Sequence, residues 1–577
     1  SVPMLTLGLS NMRDAAAALV QGGRIVAAAE EERFVRIKHV SALPAHAIRY
    51  CLKEAGLRLC DLDAVAVPWK YWEIGTRARL AFSAMFRSPE LFREKGRRSI
   101  ERLRQEWWEL ACLRRKLSEQ IDGTPCPPVT FLDHHMCHAA SAFLVSPFEQ
   151  AAVMVVDGAS ESHSTMMAMA DRQQIQAIRR TPLPHSLGQF YAAMTAFLGF
   201  KPDHDEYIVM GLAACGEPRY AETIRRHILR LVPDGTFTLN TTLLDFHLAR
   251  VGIFVPGLIS LLGAARLPDE EVMQRHRDLA ASVQLVLEEV LLALARALRM
   301  NTKVDQLCLA GGVAYNCVAN SRLWRDAGFR EIYIPPAAGD SGAAMGAALW
   351  HTFRRGAMAQ RPVMTAAYWG PQFSEIDCQT ALRQAGLQAQ RLSDAELCDL
   401  VAQELANGKL VFWFQGRMEW GPRALGNRSL LADPRREDIR ALINARVKQR
   451  ELFRPFAPSV LAEEAGAYFD VPAPSPFMML TVSVKPSAKG IIPAVVHVDG
   501  SARVQTVDRQ ANPLFHQLLQ AFARRTGVPV LLNTSFNVQE PIVCSPEEAV
   551  RCFQRTEVDW LVLGNLLVAN QTGSRLP

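Results

Sequence analysis

The stretch MLTLGLSNMRDAAAALVQGGRIVAAAEEE, residues 4–32, decides the fold class. Its opening apolar run reads as a strand, Asn11–Asp14 as a polar turn, and Gly22-Gly23 as the tight turn of a hairpin whose second arm continues to the glutamates. A hairpin followed by strands that alternate with amphipathic helices predicts an α/β fold. Ser1-Val2-Pro3, ahead of Met4, reads as a foreign remnant and is left out of the fold reasoning.

Working outward, residues 69–117 turn helical and basic, with Trp69, Trp72, Trp107 and Trp108 interleaved. A helical insertion is expected there, either a solvated helix pair or a lid and acceptor surface. LPDEEVMQRHRDLAASVQLVLEEVLLALARALRM, residues 267–300, predicts one long amphipathic helix. It leads into the strand LCLAGGVAYN, where the Gly311-Gly312 turn and Asn316 would let a phosphate or adenosine approach backbone N–H groups. Periodicity is lost and Pro and Gly gather near residues 354–373, which sets expected domains at 4–360 and 366–577. The second domain should open with helices near 375–386 and 394–407 and a strand at 409–415. No internal repeat stands out.

Hydrophobic residues at 49% and charged residues at 21% of 577 describe an ordinary globular chain. The net charge of +6 is small for this length and suits anionic small substrates as well as nucleic acid. Twelve scattered cysteines with no CxxC pair give no zinc ribbon or disulfide framework and point to a reducing cytoplasm. The longest apolar run, residues 251–265, is short and broken by Gly and Pro, so neither a membrane span nor a signal peptide is expected.

DHHMCHAASAF, residues 133–143, places three of the fourteen histidines within five positions. His134 and His138 are four apart and share a face of a helix, the spacing of a metal site, although such a pair also occurs on plain polar helix faces. A buried-looking strand then runs into Asp157, and Asp340 stands in a Gly-rich turn before an Ala-rich helix. Two histidines and two carboxylates suit Fe(II), Mn(II) or Zn(II) better than Ca(II) or Mg(II).

In the second domain, Arg417, Arg423 and Arg428 crowd a glycine-rich stretch, and Arg450 and Arg454 would share a face if their segment is helical. Arg503 lies on a predicted strand, and Asn533, Thr534, Ser535 and Asn537 close another. Guanidinium forks with hydroxyls and amides at a strand's carboxyl end suit a phosphate-bearing substrate together with a nucleotide.

Taken in order, EEERFVRIKH, HHMCHAAS, VVDGASE, SLGQFY, MGLA, AGGVAYN, GDSGAAMGAA, GPRALGNRS, FRPFAPS, HVDGSARVQTV and LLNTSFN resemble the O-carbamoyltransferase family of natural-product biosynthesis, over almost the whole chain. The resemblance implies an N-terminal actin/sugar-kinase-like (Kae1-like) domain with a helical insertion and a C-terminal YrdC-like α/β domain. It implies that carbamoyl phosphate and ATP form carbamoyl adenylate in the second domain. The carbamoyl group then passes in the first domain to a hydroxyl of a small natural product. The family's iron ligands fall on His134, His138, Asp157 and Asp340, and its carbamoyl-phosphate and ATP contacts on Lys38, Arg423, Arg450, Arg454, Arg503 and Ser535. Mg(II) accompanying ATP is a further candidate ion.

Two positions depart from the family's pattern. Met12-Arg13-Asp14 stands where a His-Asp pair is usual, and a guanidinium cannot act as a general base near neutral pH. Asp14, His135 or His39 then become candidates for that proton, or the acceptor removes the need, or transfer is impaired. Ile208 stands where a lysine is usual. Threonylcarbamoyladenosine formation on tRNA would need a nucleic-acid surface, for which only the basic insertion is a candidate, so nucleic acid is not the expected partner. A nucleotide-dependent scaffold without activity is the other alternative, opposed by the intact arginine set. A homodimer is compatible with these expectations.

Overall fold

The opening stretch folds as three strands: β1 (Leu5–Ser10), β2 (Ala16–Gln21) and β3 (Arg24–Glu30). β1 and β2 pair antiparallel from Leu5↔Gln21 to Ser10↔Ala16. Gly22 and Gly23, with φ of 57° and 94°, turn the chain into β3. The computed structural model describes residues 3–80, 104, 107–232, 234–244, 256–451, 453–472 and 474–570. Much of the insertion expected over 69–117, and part of the apolar run at 251–265, lie outside these residues.

Two compact units form, one from residues 1–27 and 41–363, the other from residues 28–40 and 364–577. In the first unit, β4 (Ala64–Val67) and β5 (Val129–Phe131) extend the opening sheet to the order β3-β2-β1-β4-β5, with β4 parallel to β1 and β5 parallel to β4. β6 (Ala151–Val156), β7 (His163–Ala170) and β8 (Ile175–Pro182) make an antiparallel meander. After a small ribbon of β9 (Leu229–Leu231) and β10 (Phe237–Leu239), β11 (Gln306–Ala310) and β12 (Glu331–Tyr333) add to β6 in parallel, giving β12-β11-β6-β7-β8. The two five-stranded sheets thus repeat one topology, an antiparallel meander followed by two parallel strands, although the sequence shows no repeat. This duplicated α/β layout is the one implied for an actin/sugar-kinase-like domain.

The long helix runs over Gln274–Thr302, shorter at its start than the sequence pattern suggests. Its start is set at Met273, whose N–H donates to His276 Nδ1 at 3.0 Å, and the buried Arg266 guanidinium draws in the carbonyls of Leu198 and Pro268, which holds the preceding turn outside the helix. The helix Asp340–Arg354 lies close against β1, where a Cβ on Gly8 would fall 1.8 Å from the Ala344 carbonyl oxygen. A Cβ on Gly346 would fall equally close to the Cys137 oxygen of the helix His134–Phe143. At its far end that second helix is held by Arg361, whose NH2 donates to the carbonyls of Phe143 and Ser146.

The second unit is a mixed eight-stranded sheet. Its strands are β13 (Gln390–Arg391), β14 (Val411–Phe414), β15 (Arg428–Ala432), β16 (Ala457–Leu461), β19 (Gln505–Val507), β20 (Val530–Ser535), β21 (Trp560–Leu563) and β22 (Leu566–Ala569), in the order β13-β22-β21-β14-β15-β20-β16-β19. β17 (Thr481–Ser483) and β18 (Ser501–Arg503) form a separate ribbon. The helices expected near 375–386 and 394–407 form over Glu375–Gln384 and Asp394–Ala406, and each opens with a capping box, at Ser374 and Ser393. No helix among the described residues is long and apolar enough to cross a membrane.

The division into units differs from the contiguous one expected from sequence, because residues 28–40 cluster with the second unit. The physical cause is a set of buried charges. Glu30 Oε1 accepts the Gly421 N–H at 2.7 Å, and Arg33 NH2 donates to the Gly421 oxygen at 2.9 Å. Arg33 also pairs with Glu32 at 2.9 Å. Arg36 donates to the Pro541 and Ile542 oxygens and pairs with Glu548 at 3.1 Å, while Phe34 packs on Met418, Ala424, Ile542 and Cys544.

Removing the Arg33 guanidinium by Arg33→Ala strands two carboxylates and should cost the second unit about 3 kcal/mol, read from urea unfolding. Burial pushes the Glu30 carboxyl up to about 7, against the pull of Arg33. The folded unit therefore holds a proton that the unfolded chain releases, so this contribution is complete below about pH 4 and lost as pH rises through 7. Glu30→Gln abolishes the titration, and its urea midpoint relative to the parent should climb between pH 5 and 8, by up to about 3 kcal/mol in stability. A pH-independent difference would contradict this.

Candidate metal centre and cationic site

Both sheets of the first unit present the carboxyl ends of their parallel strands to one cluster of side chains. Asp133, beyond β5, caps the helix His134–Phe143 by accepting the Met136 N–H. One helical turn brings His134 and His138 together, with their Nε2 atoms 3.2 Å apart. Asp157, directly after β6, reaches them with Oδ2 at 3.0 and 3.4 Å. Asp340, at the start of its helix, brings Oδ1 to 3.5 and 3.6 Å. One ligand atom from each of the four lies within 4.8 Å of the other three.

The donor set fits a divalent transition metal. His134 Nδ1 faces the Pro68 carbonyl at 3.0 Å and must donate to it, which leaves the Nε2 lone pair aimed at the cluster. Asp157 is held by its neighbours: Gly312 N–H donates to Oδ1 at 3.1 Å, and Ser186 Oγ donates to its backbone oxygen and to that of Gly158. Burial works against a charged His138 ring, yet Asp157 and Asp340 overcome it and push the ring up to about 9. Burial would raise Asp157, but hydrogen bonds from His134 and His138 hold it well below its ordinary value. Two carboxylates around two imidazoles thus call for positive charge, and a divalent cation balances them in full.

His135 Nε2 stands 3.9 Å from Asp157 Oδ2, at the edge of the cluster. It is fully buried, its two ring nitrogens have no hydrogen-bond partner among the described residues, and burial, with His163 and His134 adding repulsion, keeps it neutral. Asp14 closes the turn after β1 at φ 58°. The Gly311-Gly312 turn serves the cluster: a Cβ on Gly311 would meet the Val156 oxygen at 2.2 Å, and the Gly312 N–H is committed to Asp157. Asn316 caps the helix Cys317–Asp326 and exchanges hydrogen bonds with Gln284, which also accepts from Tyr191.

In the second unit the arginines divide. Arg428 is fully buried, donates to the Gln415, Asn427 and Pro371 carbonyls and stacks on Phe414 at 3.6 Å. Arg417 donates to the carbonyls of Gly370 and Trp369. Arg428 thus spends its guanidinium on the backbone, and Arg417 commits Nε and one terminal nitrogen to it. Arg423 rides on a loop fixed by Glu419, whose Oε1 accepts the N–H groups of Leu425, Asn427 and Arg428. Arg450 and Arg454 share no helix face, because Gln449 at φ 46° ends the helix at Lys448. Arg450 instead stacks on Phe456 at 4.5 Å, and Arg454 pairs with Glu451 at 3.5 Å.

Lys448 was not singled out by the sequence. Its buried ammonium lies within 3.1 Å of the Ser535 oxygen and hydroxyl and of the Asn537 oxygen and side-chain oxygen. Burial, then Arg450, Arg454 and Lys38, hold it well below the ordinary lysine value. Lys38 is likewise lowered by burial, with Glu32 opposing and Arg454 reinforcing the shift. Lys38, Lys448, Arg450 and Arg454 therefore feel one another as a cationic group around the Ser535–Asn537 turn. His39 stands next to Lys38 at φ 53°, with its N–H on Glu32 Oε2. Asn533 is buried in the sheet, donating to Ser459 and Gln505, and its Oδ1 has no partner among the described residues. Arg503 closes β18.

A family model described as "Carbamoyltransferase N-terminus" matches residues 5–349, and one described as "Carbamoyltransferase C-terminus" matches residues 402–570. The chain belongs to the carbamoyltransferase family. Among relatives of this carbamoyltransferase is the nodulation protein NolNO of Sinorhizobium fredii, 39% identical, with 98% of this chain and 80% of that one covered. The uncharacterized protein sll1178 of Synechocystis is 42% identical over 98% of this chain and 96% of its own. Among solved structures, HypF of T. kodakarensis aligns with 62% of this chain and 50% of that one, at 12% identity and a TM-score of 0.32.

His138→Ala and Asp340→Asn in this carbamoyltransferase should each retain less than about a tenth of the parent's bound transition metal after equal metal exposure, measured by elemental mass spectrometry. Parent-like stoichiometry in both would exclude the cluster as the metal site.

Proposed function

We propose that this carbamoyltransferase is an ATP-dependent O-carbamoyltransferase. The observation that carries the reading is a cationic group in a different unit from the metal cluster: Lys448, buried against Ser535 and Asn537, with the half-buried Lys38, Arg450 and Arg454 near enough to oppose its charge. Such a group matches carbamoyl phosphate, a compact dianion, and ATP. Carbamoyl transfer to an alcohol at neutral pH needs a better leaving group than carbamate itself offers, and a mixed anhydride with AMP provides one.

In this reading water cleaves carbamoyl phosphate to carbamate and phosphate, and a carbamate oxygen then bonds to the α-phosphorus of ATP as the bond to pyrophosphate breaks, giving carbamoyl adenylate in the second unit, residues 28–40 and 364–577. Arg423, Arg450, Arg454, Arg503, Lys38 and Ser535 hold the phosphate oxygens. Lys448 keeps the Ser535–Asn537 turn in place through its contacts with both residues. Transfer to a hydroxyl of a small natural product, with loss of AMP, belongs to the first unit. His134, His138, Asp157 and Asp340 would hold Fe(II) or a similar ion there, and that ion supplies Lewis acidity and charge neutralisation near phosphate oxygens. The cytoplasm, where both co-substrates occur, is the corresponding compartment.

Incubating the protein with ATP, carbamoyl phosphate and Fe(II), without acceptor, should give carbamoyl adenylate and pyrophosphate by mass spectrometry. Arg423→Ala should lower both by about 100-fold or more, the scale of losing a transition-state charge partner. No nucleotide product with any divalent metal would overturn the reading.

A further inference from the structure

Successive residues of a helix point about 100° apart, so the neighbour of a metal ligand ordinarily faces away from the site. His135 follows His134 in the helix His134–Phe143, yet its Nε2 stands 3.9 Å from Asp157 Oδ2, the oxygen that His134 and His138 also approach. The ring is fully buried, and neither of its nitrogens has a hydrogen-bond partner among the described residues. Such groups are rare in folded proteins, and each calls for a reason. His163 does not supply it. Its ring packs edge to face on His135 with centroids 4.5 Å apart, its Nδ1 is engaged with Ser162 Oγ at 3.1 Å, and its own Nε2 has no hydrogen-bond partner among the described residues.

The reason lies in what Asp157 needs. Its Oδ1 accepts the Gly312 N–H at 3.1 Å, while Oδ2 meets the Nε2 atoms of His134 and His138 at 3.0 and 3.4 Å. With their Nε2 lone pairs turned to a cation, neither ring can give Oδ2 a proton, and the one N–H of His134 is spent on the Pro68 carbonyl. A ligating carboxylate oxygen keeps a second lone pair, and carboxylates that bind metals are themselves hydrogen-bonded. Among the described residues, the remaining side-chain nitrogen paired with Oδ2 is Nε2 of His135.

We propose that His135 is a positioning residue of the metal centre: as the Nε2–H tautomer it donates to Asp157 Oδ2 and fixes the direction of that carboxylate toward the cation. Shortening 3.9 Å to an ordinary N–H···O length of about 3 Å takes a ring movement of about 1 Å. The donor is neutral, so the two carboxylates stay matched to a divalent ion, and the added bond sets geometry without adding charge. The assignment goes beyond the carbamoyl-adenylate reading and rests only on the cluster of His134, His138, Asp157 and Asp340 holding a metal.

Co(II) alone is the probe, titrated into the metal-free full-length protein against a chelator of known affinity and followed by its visible absorption. His135→Met and His135→Gln are near-isosteric and differ in the amide N–H. His135→Met should bind Co(II) about 10- to 100-fold more weakly than the parent, the scale of losing a hydrogen bond to a ligand. His135→Gln should recover most of that loss, and all three proteins should show the same band intensity, since no ligand is removed. Nitrogen NMR of the Zn(II)-loaded parent, labelled in histidine, should find the His135 proton on Nε2, a result that does not depend on how the variants fold. Parent-like affinity of His135→Met, equal losses in both variants, or a His135 proton on Nδ1 would overturn the role. A changed band intensity in both variants would make His135 a ligand and overturn it as well. A parent that binds no Co(II) would overturn the metal reading of the cluster and this assignment with it, while the adenylate reading stands or falls separately on its pyrophosphate.

Discussion

The metal cluster depends on how closely the helix carrying Asp340 can approach the rest of the first unit. Two contacts set that distance. The backbone oxygen of Ala344 sits where a side chain on Gly8 would be, and Gly346 leaves the same room for the Cys137 oxygen. With any larger residue at either position the Asp340 helix would stand away from β1 or from the helix of His134 and His138. Asp340 Oδ1, now 3.5 to 3.6 Å from the two ring nitrogens, would move with it. Small residues, which add almost nothing to the hydrophobic core, are thus what holds four ligands from three parts of the chain at one point.

This helps explain what could be read from sequence. The histidine pair was legible because a helix converts a spacing of four into a shared face, and the carboxylates because strand ends are where α/β sheets expose functional groups. Neither argument needs tertiary information. The strand-rich opening and the two first helices of the second unit were legible for the same reason: the Gly22-Gly23 turn and the amphipathic period are local instructions. The duplicated sheet was not legible, since a topology can repeat while every side chain that would betray it has changed.

The basic residues of the second unit mark the limit of such reading. Arg417, Arg423 and Arg428 look alike along the chain, but two of them donate to carbonyls of neighbouring turns. Lys448, a lone lysine with no motif around it, ends in the middle of the cationic group because the chain twists into a short π-helical turn and then reverses at Gln449. Burial and its acceptors, not its neighbours in sequence, give it that place. Residues 28–32 likewise read as the end of an N-terminal strand, and residues 28–40 fell within the first expected domain. Only the contacts of Glu30, Arg33 and Arg36 reveal that they complete the other unit.

That borrowed segment also bears on biosynthesis. The ribosome delivers residues 28–40 first and the rest of their unit, from residue 364 on, only after more than three hundred intervening residues. At typical elongation rates the wait is on the order of tens of seconds. Throughout it, Arg33, its two glutamates and Phe34 have no surface to settle on, and the second unit cannot close until a piece made long before is still at hand to be captured. The nascent chain must therefore keep an early, partly apolar strip soluble and untangled. Its yield in the cell should be governed as much by that interval as by the stability of the finished fold.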